Sequence, residues 1–215
     1  DLSAIASLRG ISRKDGGLAI GAMTTHAAVA ESSEVAAALP GLAKLADDIG
    51  DPQVRHRGTI GGSIANNDPA ADYPAAVLAL NATLNTTKRA IPADQFFDGL
   101  FATVLAENEI LTEIVIPVPQ SFAYAKFDQP ASRFALVGVF VAKTGGKVRV
   151  AVTGAGPSVF RVKALEDRLN ANFVPASCDG VSVPANGLNS DIHGSAEYRA
   201  HLITVLAKRA VAAAG

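Results

Sequence analysis

The sequence predicts an α+β fold in two parts, because strand and helix patterns occur in both halves. Four stretches alternate apolar with polar side chains, the two-residue period of a half-buried strand. They are residues 82–87, 109–116, 122–127 and 147–153. Three stretches have helical spacing instead, namely residues 35–49, 161–172 and 195–214. Pro117-Val-Pro119 stiffens the chain between the two parts and marks the best domain boundary.

The chain opens with a turn and a buried strand. Residues 2–11 have only a weak helical pattern. Asp15-Gly-Gly17 is a strong turn signal, and the apolar residues 18–23 after it predict a short strand. Thr24 and Thr25 precede small apolar residues, which is typical of a helix start.

Helical patterns follow up to residue 80. His26 lies where the first strand gives way to a helix, and we interpret it as a capping or hydrogen-bonded structural residue in preference to a catalytic one. Pro40-Gly41 interrupts the helical spacing of residues 35–49, so two short helices are expected. Residues 75–80 predict a buried helix with an aspartate cap and a proline in its first turn. The candidates for these two positions are Asp68 or Asp72 and Pro69 or Pro74.

The second part predicts strands followed by helices. Residues 134–142 are almost wholly apolar and are compatible with a helix or a strand. A turn at residues 144–147 leads into the strand at residues 147–153 in the manner of a hairpin. A Gly/Pro/Asn/Ser-rich loop separates the two predicted helices, so the chain is expected to end on a long helix.

Composition narrows the possible functions. The 215 residues include 19 Lys and Arg against 20 Asp and Glu, a net charge of −1, which argues against nucleic acid or a membrane surface as the partner. No apolar run approaches the ~20 residues that span a bilayer, and no secretory signal pattern is present. Cys178 is the only cysteine, which excludes intrachain disulfides and all-cysteine iron–sulfur sites. A cytoplasmic location is expected.

Several common motifs are absent or incomplete. Gly154-Ala-Gly-Pro157 begins like a dinucleotide fingerprint, but Pro157 lacks an N–H and no third glycine follows at the required distance. The end of a strand is the better interpretation. Cys178 has no recognisable base to activate it, so we interpret it as a small core or loop residue. The sequence has no Walker loop, no Gly-x-Ser-x-Gly elbow and no paired-histidine metal motif.

The richest functional signal lies between Arg55 and Asp72. This stretch has three glycines within five residues, and the hydroxyls of Thr59 and Ser63 flank the Gly-Gly pair. Glycines let backbone N–H groups approach a ligand closely, while Arg55 and Arg57 add positive charge. The combination predicts an anion cradle for a phosphate or diphosphate. A solvated turn is the alternative.

Thr59-Ile-Gly-Gly-Ser63, followed by Asp72, is similar to the second flavin-binding loop of the molybdenum hydroxylase flavoproteins, the family of the carbon monoxide dehydrogenase medium subunit and the xanthine dehydrogenase central domain. The resemblance covers nearly the whole chain. Its other motifs are Ile20-Gly-Ala-Met-Thr-Thr-His26, Val54-Arg-His-Arg-Gly-Thr59, Asp68-Pro-Ala-Ala-Asp72, Glu109-Ile-Leu-Thr-Glu-Ile-Val-Ile-Pro117 and Tyr124-Ala-Lys-Phe-Asp-Gln-Pro-Ala-Ser-Arg-Phe134.

The resemblance implies a specific architecture. Residues 1–118 would form an incomplete FAD-binding domain of the vanillyl-alcohol-oxidase-like (PCMH) type with an antiparallel sheet. Residues 119–215 would form a small α/β C-terminal domain whose antiparallel sheet packs on helices. A first Gly-rich flavin loop of the Ala-Gly-Gly-x-Ser type, expected in a preceding subdomain, does not occur before Ile20. Half of the diphosphate site would therefore be missing, through loss of an N-terminal part or in a reduced paralogue.

The resemblance also implies that the Gly-rich stretch holds the FAD diphosphate. Thr59, Ile60, Gly61, Gly62 and Ser63 would wrap it with backbone N–H groups and hydroxyls. Family members often have Asn or Asp where this chain has Ser63. Since a hydroxyl still donates a hydrogen bond, the expected role of that position is kept.

Five further positions match cofactor contacts of the family. Ile49 would pack against the cofactor, and Asp72 would form a hydrogen bond with the ribityl or ribose region. Leu111 would provide a backbone contact. Lys126 would lie near the isoalloxazine ring, and Phe134 would cover the flavin near its reactive nitrogen. No catalytic residue and no metal ligand are expected on this chain.

The function implied is that of an FAD-binding oxidoreductase subunit without substrate chemistry of its own. The flavin would collect electrons from two [2Fe–2S] clusters of a partner small subunit and reduce an external acceptor, a quinone or NAD. A large subunit with the molybdenum cofactor would oxidise the substrate. Without the first flavin loop, this chain alone is expected to be inactive.

Two alternatives remain at this point. A flavin-free scaffold, or reduced paralogue, would keep only the fold and the partner interface, and the missing first loop favours it. A flavoprotein of the vanillyl-alcohol-oxidase type would act alone as an oxidase. A bound flavin would exclude the flavin-free scaffold. Oxidase activity without partner subunits would favour the flavoprotein that acts alone over the family function.

Overall fold

The computed structural model describes residues 1–214, in which nine strands and eight α-helices are found. The strands are β1 (Ile11–Lys14), β2 (Gly17–Gly21), β3 (Thr83–Thr86), β4 (Ala90–Pro92), β5 (Leu111–Pro117), β6 (Ser121–Asp128), β7 (Ala135–Thr144), β8 (Lys147–Thr153) and β9 (Phe160–Arg161). The helices are α1 (His26–Glu31), α2 (Ser33–Ala38), α3 (Pro40–Asp47), α4 (Pro52–Arg57), α5 (Ile60–Asn66), α6 (Tyr73–Ala79), α7 (Lys163–Ala171) and α8 (Ala196–Ala214).

Two antiparallel sheets organise these elements. The first has the strand order β1-β2-β5-β3-β4, and the second has the order β6-β7-β8-β9. Every neighbouring pair of strands is antiparallel. The predicted α+β class with antiparallel sheets is therefore confirmed. The division into two domains at residue 118 stays a prediction.

The second sheet is buried on both faces. Phe140, Ala142 and Ala151 point into the same core as the first sheet and α6, whose seven residues are all buried. Val139 and Val150, on the opposite face, pack against α7 and α8. This two-residue alternation follows from the pleat of a strand, and it places the second sheet directly behind α6.

Many local predictions agree with the structure. Residues 18–21 of the predicted strand 18–23 lie in β2, and Pro40 begins α3 after the expected break. Pro74 lies in the first turn of α6. Of the ambiguous apolar stretch 134–142, residues 135–142 belong to β7, because the second sheet is buried on both faces. These signals are local, which explains why the sequence reveals them.

Two predicted segments differ from the structure. Residues 2–11 form only one 3₁₀ turn, Ala6–Leu8, because Gly10 has a φ of 110° and Ile11 pairs with Ile20 as a strand. The Gly-rich stretch predicted as a loop forms the last three residues of α4 and all of α5. The cause lies in their caps, since the Asp51 carboxylate accepts from Val54 N and the Thr59 hydroxyl accepts from Gly62 N.

No helix among residues 1–214 is long and apolar enough to cross a membrane. Within the same residues there is no group of three or more His, Cys, Asp and Glu side chains that would hold a metal ion. Cys178 is buried in the core beside α7 and α8, and this burial raises the pKa of its thiol. The structure therefore places it as a small core residue.

Candidate functional site

A cleft of about 230 Å³ lies where the N-terminal helices meet the β6–β7 loop. Residues from α1, α4, α5, the α3–α4 and α5–α6 connections and the β6–β7 loop form its walls. They are His26, Ile49, Gly50, Val54, Ser63, Asn66, Asp68, Ala71, Asp72, Ser132, Arg133 and Phe134. Four of the predicted cofactor contacts, Ile49, Ser63, Asp72 and Phe134, thus share one cleft.

The other predicted contacts lie around this cleft. Thr59 caps α5, and Ile60 to Gly62 are its first residues, directly before Ser63. Lys126 lies behind Asp72. Leu111 is buried at the start of β5, and it precedes Thr112, whose carbonyl accepts a hydrogen bond from Ala22 N. Leu111 is not among the residues that line the cleft.

The backbone N–H groups at the start of α5 are already bonded within the protein. Ile60 N donates to Thr24 O over 3.0 Å, and Gly61 N donates to Ala22 O over 2.9 Å. Gly62 N and Ser63 N donate to the side chain and the carbonyl of Thr59. A ligand at this turn would therefore meet the hydroxyls of Thr59 and Ser63 and the partial positive charge of the helix end, in place of four free N–H groups.

The two adjacent glycines of α5 have different surroundings. A Cβ on Gly61, which is buried, would overlap the Ala22 side chain and come within 2.6 Å of the Ala22 carbonyl oxygen. Gly61 is therefore required for α5 to pack against the end of β2. Gly62 is exposed, and a Cβ there would meet only the Thr59 hydroxyl at 2.8 Å. The missing side chain at the exposed Gly62 therefore leaves the Thr59 hydroxyl open to the close approach of a ligand.

Asp72 presents one carboxylate oxygen to the cleft. It is 4% exposed and occupies the cap position of α6, but its side chain makes no capping hydrogen bond. The Tyr124 hydroxyl donates to Oδ1 over 2.5 Å, and Lys126 Nζ lies 3.2 Å from the same oxygen. Within residues 1–214, Oδ2 makes no hydrogen bond and is not enclosed. Oδ2 is therefore the acceptor that the cleft offers to a ligand.

Burial controls the charge of Asp72. Desolvation raises the pKa of its carboxyl to about 6, although Lys126 and the Tyr124 hydroxyl favour the ionised form. Asp48 adds a smaller effect that also raises this pKa. Asp72 is therefore ionised at neutral pH but takes up a proton just below it.

Lys126 connects three walls of the cleft. Its ammonium group donates to the carbonyls of Asp48 over 2.9 Å and Arg133 over 3.1 Å, besides its contact with Asp72. Its side chain is 8% exposed. Since an ammonium has three protons, all of them have acceptors here. Lys126 thus holds the end of α3, the start of α6 and the β6–β7 loop together.

His26 is a cleft residue that the sequence did not reveal. The cap of α1 is Thr25, whose hydroxyl accepts from Ala28 N, so the expected capping role of His26 is wrong. Its Nδ1 is buried without a hydrogen-bond partner among residues 1–214, and its ring lies 5.3 Å from that of Tyr73. Burial, followed by the charge of Arg55, lowers its pKa to about 4. His26 is therefore neutral at pH 7.

The predicted cations serve mainly the protein itself. Arg55 donates to the carbonyls of Ile49 and Gly50, both over 3.1 Å, and thereby fixes the α3–α4 connection. Arg133 donates to the Gly50 carbonyl over 3.4 Å. Arg57 is exposed at the end of α4. Of these three arginines, only Arg133 is among the residues that line the cleft.

The chemistry of the cleft fits part of FAD. Ile49, Val54 and the 51% exposed Phe134 offer an apolar wall for a flat ring. Asp72 Oδ2 offers an acceptor for a sugar hydroxyl, and Ser63 offers a hydroxyl of its own. The volume is below the ~300–1,000 Å³ of pockets that enclose a whole drug-sized ligand. The cleft would therefore hold one portion of the cofactor.

Comparisons with known proteins agree with this chemistry. Residues 1–119 match the family described as FAD binding domain in molybdopterin dehydrogenase. The chain is 38% identical over 209 residues to the nicotine 6-hydroxylase medium subunit of Paenarthrobacter nicotinovorans, a match that covers 91% of this chain and 74% of that subunit. It is 36% identical over 234 residues to the carbon monoxide dehydrogenase medium chain of Hydrogenophaga pseudoflava, covering 100% of this chain and 80% of that one.

A solved structure extends the similarity to the fold. The carbon monoxide dehydrogenase of Hydrogenophaga pseudoflava, in a form that lacks the Mo-pyranopterin moiety of the molybdenum cofactor, matches with a TM-score of 0.85 at 36% identity. The match covers 98% of this chain and 79% of that chain. It therefore includes both antiparallel sheets.

Proposed function

Because this chain belongs to the family of FAD-binding medium subunits of the molybdenum hydroxylases, we propose that it holds FAD across the cleft at Asp72 and relays electrons through it. The observation that carries the proposal is the convergence of Ile49, Ser63, Asp72 and Phe134 on one cleft. These residues come from four separate segments of the chain, and the family resemblance implies a cofactor contact for each of them.

The chemistry of each residue suits a different part of the cofactor. Ile49 and Phe134 would pack on the isoalloxazine ring, and Asp72 Oδ2 would accept a hydrogen bond from the ribityl or ribose hydroxyls. We extend the same proposal to Leu111, as a backbone contact, and to Lys126, whose charge beside Asp72 would favour electron density on a nearby ring.

The diphosphate would lie at the start of α5. Here the hydroxyls of Thr59 and Ser63 donate, the helix end contributes partial positive charge, and Gly62 leaves room for close approach. Ile60 and Gly61 contribute by a different route, because their N–H groups fix α5 against Thr24 and Ala22. The cradle is thus a rigid helix end that presents hydroxyls.

FAD, when bound, supplies electron transfer between one-electron and two-electron carriers. We propose that the electrons come from the [2Fe–2S] clusters of a partner small subunit and leave to an external acceptor, a quinone or NAD. The relatives support partners, since they are named medium subunit and medium chain. A large subunit with the molybdenum cofactor would supply the substrate chemistry, and this chain alone would be inactive.

Flavin content tests the first half of the proposal. The purified full-length protein is expected to show flavin absorbance, or to gain it on incubation with FAD. Protein that stays colourless and takes up no FAD would support the flavin-free scaffold instead.

Replacing Phe134 by Ala is expected to weaken FAD binding, because the ring loses an apolar wall. Replacing the similarly exposed Phe127 by Ala should leave it unchanged.

Flavin reduction tests the second half. In the assembled complex, the substrate of the large subunit should bleach the flavin absorbance of this chain. The isolated chain, given the same substrate, should stay oxidised. Bleaching by substrate without partner chains would contradict the relay and would support a flavoprotein that acts alone.

A further inference from the structure

We propose that Tyr124 is a positioning residue for Asp72, which acts from β6 to fix the carboxylate oxygen that faces the cleft. The inference rests on the proposed function, because it gives Asp72 a ligand to orient toward. It also makes a statement about the carboxylate itself, which is measurable without any ligand. Tyr124 does not line the cleft, so its effect would pass through Asp72.

The geometry around Asp72 makes its two oxygens unequal. The Tyr124 hydroxyl, 2.5 Å from Oδ1, and the Lys126 ammonium, 3.2 Å from Oδ1, both bind the same oxygen. A charge-assisted hydrogen bond from a hydroxyl is short and directional, whereas an ammonium acts largely as a point charge. Lys126 therefore neutralises the carboxylate, and Tyr124 sets its rotation, so that Oδ2 remains the free acceptor.

The second sheet is built to hold the Tyr124 side chain. Its ring stacks on Phe140 with the centroids 6.0 Å apart. A Cβ on Gly138 of β7 would overlap the Tyr124 hydroxyl and would lie 2.8 Å from Cζ. The absence of a side chain at Gly138 thus creates the space that the hydroxyl occupies. Stacking on Phe140 and the space at Gly138 therefore hold the Tyr124 hydroxyl in one position.

The segment that leads to Asp72 is bound to the same sheet. The Thr153 hydroxyl donates to Ala71 O over 2.6 Å and lies 3.0 Å from Pro69 O. Gly154 N donates to Pro69 O over 2.7 Å. The second sheet therefore fixes the backbone before Asp72 as well as its side chain. By this arrangement the C-terminal half of the chain shapes a binding site formed largely by the N-terminal half.

The charged and titratable groups around Asp72 set the expected pH dependence. Lys126 and Tyr124 on β6 favour the ionised carboxylate, whereas Asp48, at the end of α3, disfavours it. Loss of the Tyr124 hydroxyl would remove one of the two favourable effects. The pKa of Asp72, about 6 in the wild type, should then rise.

The test compares Tyr124→Phe with Tyr198→Phe, which removes the hydroxyl of an exposed tyrosine. Phe keeps the ring on Phe140, so the variant should fold. At pH 8 its FAD dissociation constant should rise about tenfold, the effect of losing a hydrogen bond to a charged group. The pH below which FAD affinity falls should also move upward. Tyr198→Phe should match the wild type in both measurements.

Three results would overturn the inference. One is an FAD affinity and pH midpoint in Tyr124→Phe equal to those of the wild type. A second is a lowered melting temperature with an unmoved midpoint, which would indicate a structural role alone. The third comes from a double-mutant cycle. If Tyr124 acts through Asp72, Tyr124→Phe should cause no further loss of FAD affinity on the Asp72→Asn background, and additive losses would contradict this.

A measurement without FAD separates this inference from the proposed function. The carboxyl carbon of Asp72, followed by NMR across pH, should titrate at higher pH in Tyr124→Phe than in the wild type. An unchanged titration would overturn the role of Tyr124 even if FAD binds. A shifted titration in a protein that binds no FAD would support the role of Tyr124 and contradict the proposed function.

Discussion

The Gly61 N–H donates to the Ala22 carbonyl over 2.9 Å, and no side chain fits between these two residues. This contact seats the start of α5 on the end of β2. Gly62, the next residue, is exposed, and a Cβ there would meet only the Thr59 hydroxyl, so the Gly-Gly pair separates a packing requirement from a ligand-binding one. Both glycines looked equivalent in the sequence.

Gly61→Ala and Gly62→Ala should therefore fail in different ways. Gly61→Ala forces a methyl group into the Ala22 backbone and should destabilise the fold by about 1–3 kcal/mol, as overpacking does. Gly62→Ala should cost less stability, because its methyl group would disturb only the Thr59 cap while alanine favours helix, and it should weaken FAD binding. Urea unfolding and flavin fluorescence titration measure the two effects. Equal stability of the two variants would contradict the assignment.

Lys126→Met should both loosen the cleft and destabilise the fold. It removes the donor shared by Asp72 and the carbonyls of Asp48 and Arg133. Breaking a buried ion pair by removing one partner typically costs about 3–5 kcal/mol, since the other charge stays buried. Chemical denaturation at pH 8 measures this loss. Lys147→Met, at the exposed first position of β8, is the matched control and should stay near the wild type.

Sequence predictions near the site that agree with the structure depend on local signals. The threonine pair before α1 indicates a helix start, and Thr25 caps that helix. Helix caps, prolines and the alternation of strands act within a few residues, so they can be read without the fold. The same holds for Pro40 and Pro74 at the helix starts.

The remaining features of the site depend on long-range contacts. A Gly-Gly pair favours a loop, and the fit of Gly61 against Ala22, which holds the capped helix α5 on the end of β2, is visible only in the fold. The acceptors of Lys126 come from residues 48, 72 and 133, which no sequence pattern connects. The position of His26 between a strand and a helix suggested a cap. Its burial beside Tyr73 is a property of the assembled core, which the sequence does not show. These contacts turn a motif into a cleft.

Glu109→Gln should destabilise the segment that leads into β5, the strand in which Leu111 is expected to contact the cofactor. The Glu109 side chain, 1% exposed, accepts from Arg89 Nε over 3.0 Å, Ala106 N over 2.9 Å and the Thr86 hydroxyl over 2.7 Å. The Arg89 hydrogen bond is the largest effect that lowers the pKa of this carboxyl, to about 2.

The sign of the pH dependence follows from this lowered pKa. The unfolded chain takes up a proton near pH 4.5 and the folded protein only near pH 2, so the stabilisation is complete above 4.5 and is lost as the pH falls to 2. Melting temperatures of wild type and Glu109→Gln should therefore differ at pH 7 and converge toward pH 2. Glu107→Gln, at an exposed position, should follow the wild type throughout. A gap that stays constant with pH would contradict this account.

His26→Leu should make the fold less sensitive to mild acid. The pKa of His26 is lowered from 6.5 to about 4, so the unfolded chain binds a proton that the folded protein rejects between these pH values. Wild-type stability should therefore fall as the pH drops from 6.5 to 4, by about 3 kcal/mol from this residue. Asp72 acts in the opposite direction, since its raised pKa costs stability as the pH rises from 3.8 to about 6.

The difference between wild type and His26→Leu isolates the histidine, because both proteins keep Asp72. Urea unfolding at intervals from pH 4 to 7 should show the variant becoming more stable relative to the wild type as the pH falls. His56→Leu, at an exposed position on α4, should track the wild type. A difference that does not change across this range would mean that His26 is protonated in the fold. Its buried Nδ1 would then need a partner that residues 1–214 do not supply.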